Sequence, residues 1–434
     1  MTVAVRVGID VRVLIAAAVV ALSALVGCGR TMVATPTIYW HHDADPFADT
    51  PDEFRTTSAR MLYVTDRARN DSESRPVWYG FGRDRSMSYG LCTVRFGDEA
   101  YTWDELEAAS RGPKRSGSVG LSLVDVEELG RLPASDGSNL LVVDGRVIEN
   151  PERLVERSRI GTEFMTHLGD QVRRTSTGEV FLFVHGFNND FQDPMYVAAQ
   201  VWHFAGRDIV PIVYTWPAGW KGFALFGYNY DRESGEFTVY HLKSLLKTIA
   251  ACPDVKGVHL IAHSRGTDVL TTALRELNIR YRAEGVSARE KLKLKSIILA
   301  VPDIDMEVFS QRVGVERVPI MADRFTVYVS RKDRAIGLSD WLFRSSNRLG
   351  RMQYANLTPA QLEASGVFSE INVVDVTSHT TGLGHSYFYD CPCVLSDLIL
   401  CMRGAPPGEE AGRPLILEGV PFWRLPEGYL APTN

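Results

Sequence analysis

From about residue 151 onward, short apolar runs alternate with stretches of helical periodicity. The apolar runs, typical of strands buried on both faces, are residues 180–184, 209–214, 258–261, 296–301, 325–329 and 371–376. The helical stretches are residues 151–174, 194–204, 237–250, 267–274 and 394–402, with a short helix near Met306. This alternation predicts an α/β fold with a mostly parallel central sheet and helices on both faces, whose functional sites lie at the carboxyl ends of the strands.

The pattern before residue 151 is less regular. Residues 61–64 and 89–96 are β-like and are separated by turn signals, so we expect the first strands of the sheet here, with long insertions. The segment 28–58 is polar with scattered Pro and Asp, which indicates a tether. The predicted organisation is therefore a leader at 1–27, a tether at 28–58, and one domain at 59–434 with N-terminal extension strands and a C-terminal tail.

The leader has the features of a bacterial lipoprotein signal peptide. Arg6 and Arg12 precede an apolar run, residues 13–26, that is short for a bilayer span. The run ends in Leu25-Val26-Gly27-Cys28, which resembles a lipobox. The resemblance implies that Cys28 is acylated and that the mature protein is exported and anchored to a membrane of the cell envelope, on the periplasmic side. The alternative is an ordinary signal peptide with a cysteine nearby.

Composition and charge narrow the possible partners. The chain has 434 residues and is 45% hydrophobic, which is enough to form a large core. Its net charge is −6, so no excess of basic residues suggests that it binds nucleic acid. Of its six cysteines five remain if Cys28 carries lipid, and the sequence leaves their pairing open. Cys391 and Cys393 lack metal-site spacing and a paired histidine cluster. We therefore expect neither a metal nor a cofactor.

Ala262-His263-Ser264-Arg265-Gly266 is the most informative motif of the chain. It lies between a predicted strand and a predicted helix, which is the context of a nucleophile elbow. Such a turn exposes a serine hydroxyl above the sheet and needs small neighbours, here Ala262 and Gly266, although glycine is usual at the first position. Ser264 is the candidate nucleophile, and the backbone N–H of Arg265 at the helix N-terminus is a candidate oxyanion donor.

The motif His185-Gly186-Phe187-Asn188-Asn189 directly follows the buried run at 180–184. An α/β-hydrolase places its second oxyanion donor in the loop after the third core strand. Gly186 allows the chain to turn closely past a substrate. The backbone N–H of Phe187 is therefore the second candidate oxyanion donor.

An elbow serine in this fold requires an acid and then a histidine later in the chain. Asp333 follows the predicted strand 325–329, and we favour it over Asp303, which follows the preceding strand and is equally suited to cap a helix. Of the ten histidines, only His379 and His385 come after Asp333. His385 lies in a loop with two glycines that can bring the imidazole to the serine, and we favour it as the base. His379 is the alternative base.

The segment 216–230 is rich in aromatic residues and is predicted to emerge at the same edge of the sheet. It suits an apolar wall or lid for an acyl group, or it packs into the core of its own domain; the sequence leaves both open. The following motif, Asp231-Arg232-Glu233-Ser234, indicates a helix start. His263, beside the nucleophile, is expected to pack near the site rather than act in it.

Further motifs lie before, between and after the motifs described above, within about residues 59 to 400, and they occur in collinear order. With them, the chain resembles a family of bacterial α/β-hydrolase-fold proteins of unknown function, many of them predicted to be exported or lipid-anchored. The resemblance implies the fold and a serine-hydrolase site, and it leaves the substrate open. Asp66 departs from the asparagine expected in the family. Besides the motifs at 185–189 and 262–266, the resemblance rests on residues 63–67, 88–90, 215–217, 230–234, 302–305 and 384–387.

These residues predict a serine hydrolase that acts on carboxylic ester-like bonds through a Ser264–His385–Asp333 triad and an acyl-enzyme. The substrate would be a small-molecule or lipid-like acyl compound, and the aromatic segment favours an ester or thioester over a peptide. Two other functions remain open. One is a lipid-anchored, non-catalytic binding or scaffold protein of the envelope, and the other is an acyltransferase, in which an alcohol replaces water.

Overall fold

The computed structural model describes residues 30–41, 43–70, 78–220, 224–337, 348–352 and 369–432. The predicted leader, including Cys28, lies outside these residues. Among the described helices, none is both long and apolar enough to cross a membrane.

The strands and helices are numbered in chain order. The strands are β1 (Ser58–Arg69), β2 (Tyr79–Phe96), β3 (Leu121–Arg131), β4 (Leu140–Val143), β5 (Arg146–Glu149), β6 (Glu179–Val184), β7 (Val210–Thr215), β8 (Gly257–His263), β9 (Leu294–Ala300), β10 (Arg324–Val329), β11 (Ile371–Asp375), β12 (Ile416–Gly419) and β13 (Phe422–Arg424). The helices are α1 (Trp103–Ala109), α2 (Pro151–Val172), α3 (Asp193–Phe204), α4 (Ala224–Ala251), α5 (Gly266–Ala283), α6 (Ala288–Leu292), α7 (Met306–Phe309), α8 (Tyr387–Asp390) and α9 (Pro392–Met402).

Within the described residues, an 11-stranded sheet has the order β12-β13-β11-β10-β9-β8-β6-β7-β1-β2-β3, and β4 and β5 form a separate hairpin. In this spatial order, all neighbouring strands between β13 and β1 are parallel. The antiparallel pairs lie at the two edges: β12 with β13, β1 with β2, and β2 with β3. The predicted mostly parallel sheet is confirmed. β6 lies between β7 and β8, the two strands that follow it in the chain, so the strand order reverses there. A reversal of this kind opens a crevice at the carboxyl ends of the strands.

The central strands alternate their side chains between two apolar cores, one on each face of the sheet. In β6, Val180, Leu182 and Val184 belong to one core, whereas Phe181 and Phe183 belong to the other. Helices α2, α4 and α5 cover the first core, and α3 and α9 cover the second. Burial on both faces explains why these strands read as continuous apolar runs rather than as alternating ones.

Two expectations from the sequence are wrong. Residues from 30 onward in the predicted tether are packed onto the domain, because Met32, Tyr39 and Phe47 are buried and Met32 N–H donates to Val119 O at 2.8 Å. Helix α4 begins at Ala224, well before the predicted start, so Asp231 lies inside the helix rather than at its beginning. The first turns of α4 contain Gly and aromatic residues, which are weak helix formers, and their pattern hides the helix.

The C-terminal region is joined to the sheet by a buried ion pair. Asp397 on α9 accepts hydrogen bonds from Arg413 Nη2 at 2.7 Å, from Tyr328 on β10 at 2.7 Å and from Tyr429 at 2.6 Å. The side chains of Asp397 and Arg413 are both fully buried. Removing one partner of such a pair strongly destabilises the protein, because the other partner is left as an uncompensated buried charge.

We therefore expect Asp397→Asn to lower the free energy of unfolding by about 3–5 kcal/mol, since Arg413 would keep its buried charge without a carboxylate. Urea unfolding followed by circular dichroism measures the loss. The matched control is Glu284→Gln, which breaks an exposed pair with Arg280 and should leave the transition unchanged. Equal effects of the two substitutions would contradict the role assigned to the buried pair.

Candidate active site

Ser264 lies in the sharp turn between β8 and α5. Its backbone φ is +50°, a left-handed conformation that residues other than glycine rarely adopt. The turn is held by Ser264 N–H, which donates to Ala300 O at 2.9 Å, and by Ser264 O, which accepts from Thr267 N–H at 3.0 Å. Backbone strain that the surrounding structure maintains is a common feature of functional sites.

The turn packs so closely against the end of β6 that side chains are excluded at two positions. A Cβ at Gly266 would lie 2.3 Å from His185 O and 2.6 Å from Val184 O. A Cβ at Gly186 would lie 2.8 Å from Ser264 Cβ. Only glycine fits at both positions, and this contact sets the loop after β6 directly beside the serine.

The structure brings Ser264, His385 and Asp333 into one hydrogen-bonded chain. His385 Nε2 lies 3.0 Å from Ser264 Oγ, and His385 Nδ1 lies 2.9 Å from Asp333 Oδ2. Asp333 follows β10, and His385 lies in the loop after β11, so the three groups come from the carboxyl ends of three parallel strands. The Asp333 side chain is fully buried, whereas that of His385 is 28% exposed. In this arrangement the imidazole can accept the serine proton while the carboxylate fixes the tautomer of the ring.

Two effects oppose each other at His385. Burial lowers the pKa of the imidazole, but the charge and hydrogen bond of Asp333, with a contribution from Asp303, more than compensate, so that the pKa is raised above its ordinary value. His263 behaves differently, because burial and the nearby His385 lower its pKa to about 3 and keep it neutral. His263 Nε2–H donates to His385 O at 2.8 Å, so the residue positions the loop that carries His385.

His185 controls the orientation of the peptide group between Gly186 and Phe187. Its Nδ1–H donates to Gly186 O at 2.9 Å, and its Nε2 accepts from Trp216 N–H at 3.0 Å. Burial, together with the charge of Arg67, lowers the pKa of His185 well below the usual range, so the ring is neutral. In a planar trans peptide the N–H points opposite to the C=O. By holding Gly186 O, His185 therefore fixes the direction of Phe187 N–H.

Residues 160–403 match the family described as alpha/beta hydrolase of unknown function (DUF900). The match extends over more than half of the chain and includes β6 to α9, with Ser264, Asp333 and His385. The chain belongs to this family. No curated protein matches the sequence. The predicted α/β-hydrolase fold is thereby confirmed, and membership supports a hydrolase-like function, although the family itself has no assigned activity.

In this DUF900 chain, two buried ionic groups tie the loop after β6 to the segment after β7. Arg67 on β1 donates to Asn189 O and to Ala218 O, each at 2.8 Å. Asp231 on α4 accepts from Asn188 N–H at 2.9 Å and from Gly219 N–H at 3.2 Å. Burial raises the pKa of Asp231 to about 6, although the backbone donors act in the opposite direction. These bridges give the motifs around Arg67 and Asp231 a positioning role that their sequence alone did not reveal.

The alternative acid and the alternative base have other partners. Asp303 accepts from Tyr228 OH at 3.2 Å and lies 3.4 Å from Arg348 Nη1. His379 Nε2 lies 2.9 Å from Pro426 O in the C-terminal segment. Asp303 lies close enough to raise the pKa of His385, and its backbone N–H donates to Ser264 O at 3.4 Å. Within the described residues, neither the Asp303 carboxylate nor the His379 imidazole is hydrogen-bonded to the side chains of Ser264 and His385.

The aromatic segment after β7 divides between core and site. Trp216 is fully buried, stacks on His185 and donates to its carbonyl at 2.8 Å, so it belongs to the core. Tyr228 packs against Phe187 with ring centroids 5.6 Å apart and lies under the Arg265 guanidinium. The Arg265 side chain is in turn paired with Asp268 at 2.9 Å. Lys221, Gly222 and the side chain of Phe226 lie outside the described residues.

The DUF900 chain contains a second Ser–His–Asp sequence of hydrogen bonds that the sequence did not predict. His241 lies 2.8 Å from Asp66 Oδ2 through Nδ1 and 2.6 Å from Ser135 Oγ through Nε2. Ser135 Oγ also lies 2.8 Å from Arg85 O, which can only accept, so this carbonyl competes with the imidazole for the hydroxyl proton. Ser135 lies in the loop after β3, outside a strand–turn–helix elbow. Asp66, the departure from the expected asparagine, is part of this buried network.

A recess of about 530 Å³ borders Asp333. Its lining residues include Arg331, Lys332, Arg334 and Arg351, although the whole chain carries a net charge of −6. The wall is polar and positively charged, so it suits polar or anionic groups better than an alkyl chain. The expected apolar wall is not found in this recess.

The exclusion of side chains at Gly266 generates a direct test. We expect Gly266→Ala to lower the free energy of unfolding by about 1–3 kcal/mol or more, because the new methyl group meets two backbone carbonyls that cannot move aside. Thermal and urea unfolding measure the change. The control is Gly161→Ala in α2, where nothing lies within 4 Å and a gain of about 0.5–1 kcal/mol is expected. A Gly266→Ala protein as stable as the control would refute the close packing of the turn.

Proposed function

We propose that this protein is a serine hydrolase that cleaves carboxylic ester-like bonds, with Ser264 as nucleophile, His385 as general base and acid, and Asp333 as the orienting carboxylate. The observation that carries the proposal is the continuous chain of hydrogen bonds from an elbow serine through the imidazole to a buried carboxylate, at 3.0 and 2.9 Å. Membership in an α/β-hydrolase family supports it independently.

The chemistry follows from the direction of these hydrogen bonds. Ser264 Oγ attacks the substrate carbonyl while His385 Nε2 takes its proton, and the resulting imidazolium is stabilised by Asp333. Negative charge develops on the carbonyl oxygen, and the N–H groups of Phe187 and Arg265 are the proposed donors to it. His385 then protonates the leaving alcohol, and water hydrolyses the acyl-enzyme by the same sequence of proton transfers.

The two proposed oxyanion donors are supported by their local geometry. Phe187 N–H is aimed by the contact of His185 with Gly186 O, and Arg265 N–H lies at the N-terminus of α5. In the described part of the chain, neither N–H group donates to a backbone or side-chain acceptor, so both can bind an oxyanion. A donor fixed in advance avoids the cost of reorganisation during the reaction.

We also retain the proposal of an exported protein, anchored by a lipid on Cys28, that meets an acyl substrate at the envelope. Its support is the sequence of the leader alone: an apolar core after two arginines and the Leu25-Val26-Gly27-Cys28 pattern. Metabolic labelling with a fatty-acid analogue, compared with Cys28→Ser, tests this proposal separately from the chemistry.

The nucleophile is tested by labelling the folded full-length chain with a fluorophosphonate. We expect the wild-type protein to be labelled and Ser264→Ala to show only background, because the reagent requires an activated serine. Ser135→Ala is the matched control and should be labelled like the wild type, since Ser135 also faces a histidine but lies outside the elbow and has Arg85 O as a competing acceptor for its proton. Absence of labelling in the folded wild type would favour the scaffold function, and labelling of Ser264→Ala would remove Ser264 from the mechanism.

The pH dependence of labelling tests the base and the acid. Only neutral His385 can accept a proton, so the rate should rise with pH through the raised pKa, with a midpoint above about 6.5. Asp303→Asn should move the midpoint slightly toward lower pH, because the charge of Asp303 contributes to raising this pKa. Asp333→Asn should lower the rate by a factor on the order of 10⁴ at every pH, through loss of the correct tautomer. The opposite ranking of the two variants would assign the acid to Asp303.

A further inference from the structure

Three metal-binding side chains meet beside the loop that carries His385. One ring nitrogen of His379 and the sulfur atoms of Cys391 and Cys393 all lie within 4.8 Å of one another. His379 ends the short 3-10 turn after β11, Cys391 immediately precedes α9, and Cys393 lies in the first turn of α9. The sequence shows neither metal-site spacing nor a paired histidine cluster at these cysteines, but the fold brings one histidine to them from 12 positions upstream of Cys391.

The histidine has the arrangement of a metal ligand. His379 Nε2 lies 2.9 Å from Pro426 O and 3.3 Å from Leu425 O, and a carbonyl can only accept, so Nε2 carries the proton. Nδ1 consequently has the lone pair that a cation needs. Metal-binding histidines commonly donate their other N–H to a backbone carbonyl, which fixes the tautomer and the ring orientation.

The two thiols are free and reachable. Neither forms a disulfide, and both cysteines are half-buried rather than enclosed in the core. Cys391 immediately precedes α9 and Cys393 lies in its first turn, so both thiols are at the positive end of the helix. A helix N-terminus favours a thiolate, which is the form of cysteine that binds metals.

We propose that His379, Cys391 and Cys393 bind a thiophilic metal cation, with Zn²⁺ as the expected ion and a water molecule completing a tetrahedral site. Thiolate and imidazole donors select Zn²⁺ or Cu⁺ over Mg²⁺ and Ca²⁺, which prefer oxygen. Two thiolates neutralise Zn²⁺, whereas Cu⁺ would leave a negative charge in a half-buried place. Tetrahedral Zn²⁺ requires donor atoms roughly 3.4–3.8 Å apart, so the observed cluster needs only a small contraction.

Because the metal site lies beside the loop that carries His385, a bound cation would also restrain that loop. His379 lies six residues before His385, and Cys391 lies six residues after it. A metal bound to both would close the chain around His385, in a loop that contains Gly382 and Gly384 with positive φ. Closing a flexible loop reduces the freedom of the unfolded chain and couples metal binding to stability. This consequence for His385 rests on the proposed function, whereas the binding of the metal does not.

The test uses the full-length chain, reduced, stripped with a chelator and then dialysed against Zn²⁺ alone, Co²⁺ alone or Cu⁺ alone. Metal content is measured by elemental analysis, and Co²⁺ reports thiolate ligands by its charge-transfer absorption. We expect one equivalent of Zn²⁺ that is lost, with affinity lowered more than about 100-fold, in His379→Gln and in Cys393→Ser. His167→Gln, a half-buried histidine distant in sequence from any cysteine, is the control and should bind like the wild type.

Several results would overturn the proposal. These are equal Zn²⁺ content in wild type and Cys393→Ser, no uptake when thiol titration shows both cysteines reduced, or stoichiometric Cu⁺ binding without Zn²⁺. Circular dichroism of each variant excludes unfolding as the cause of a loss. Zn²⁺ should also raise the melting temperature of the wild type and its rate of fluorophosphonate labelling. In Cys393→Ser, Zn²⁺ should change neither quantity. If the metal binds without these changes, the proposed effect of the metal on the loop around His385 is wrong. If Ser264 is not labelled in the wild type, the proposed function fails, but the measurements of metal content still test the metal site.

Discussion

The close contact between the turn at Ser264 and the end of β6 is the constraint on which the rest of the site depends. No side chain fits at Gly266 because the carbonyls of Val184 and His185 occupy the space. In the same turn Ser264 has a left-handed conformation, and Gly186 packs against its Cβ. The proposed nucleophile and a proposed oxyanion donor, which come from distant parts of the chain, are thus fixed relative to each other by backbone packing.

The strand order then brings in the remaining groups. Because β6, β8, β9, β10 and β11 run parallel, their carboxyl ends lie along one edge, and the loops that follow them carry Phe187, Ser264, Asp333 and His385. Buried charges then fix the loops: Arg67 and Asp231 bridge two of them. The neutral histidines His185 and His263 each fix a backbone carbonyl at the site. The histidines next to the partly exposed His385 are therefore uncharged, and they position backbone groups around it.

The sequence was sufficient to predict features that depend on a local pattern. It was insufficient for features that depend on contacts between residues far apart in the chain. The continuous apolar strands and the strand–turn–helix around Ser264 followed from burial on both faces and from the need for small residues at the turn. The start of α4 was missed because aromatic residues and Gly227 hide its periodicity. The packing of residues 30–41 and 43–57 was missed because their apolar side chains, interrupted by Pro and Asp, follow neither strand nor helix periodicity. The Asp66–His241–Ser135 network and the approach of His379 to Cys391 and Cys393 arise only from tertiary structure, because no spacing rule connects their positions.

The proposed reaction requires Ser264, His385 and Asp333 to converge with the N–H groups of Phe187 and Arg265 around one reacting carbon. The most direct measurement is a crystal structure of the full-length protein after reaction with an organophosphonate ester. We expect a covalent bond to Ser264 Oγ, a phosphonyl oxygen within hydrogen-bond distance of the N–H groups of Phe187 and Arg265, and a retained hydrogen bond between His385 and Asp333. A modified protein with the adduct on another residue, or with the phosphonyl oxygen directed away from both N–H groups, would contradict it.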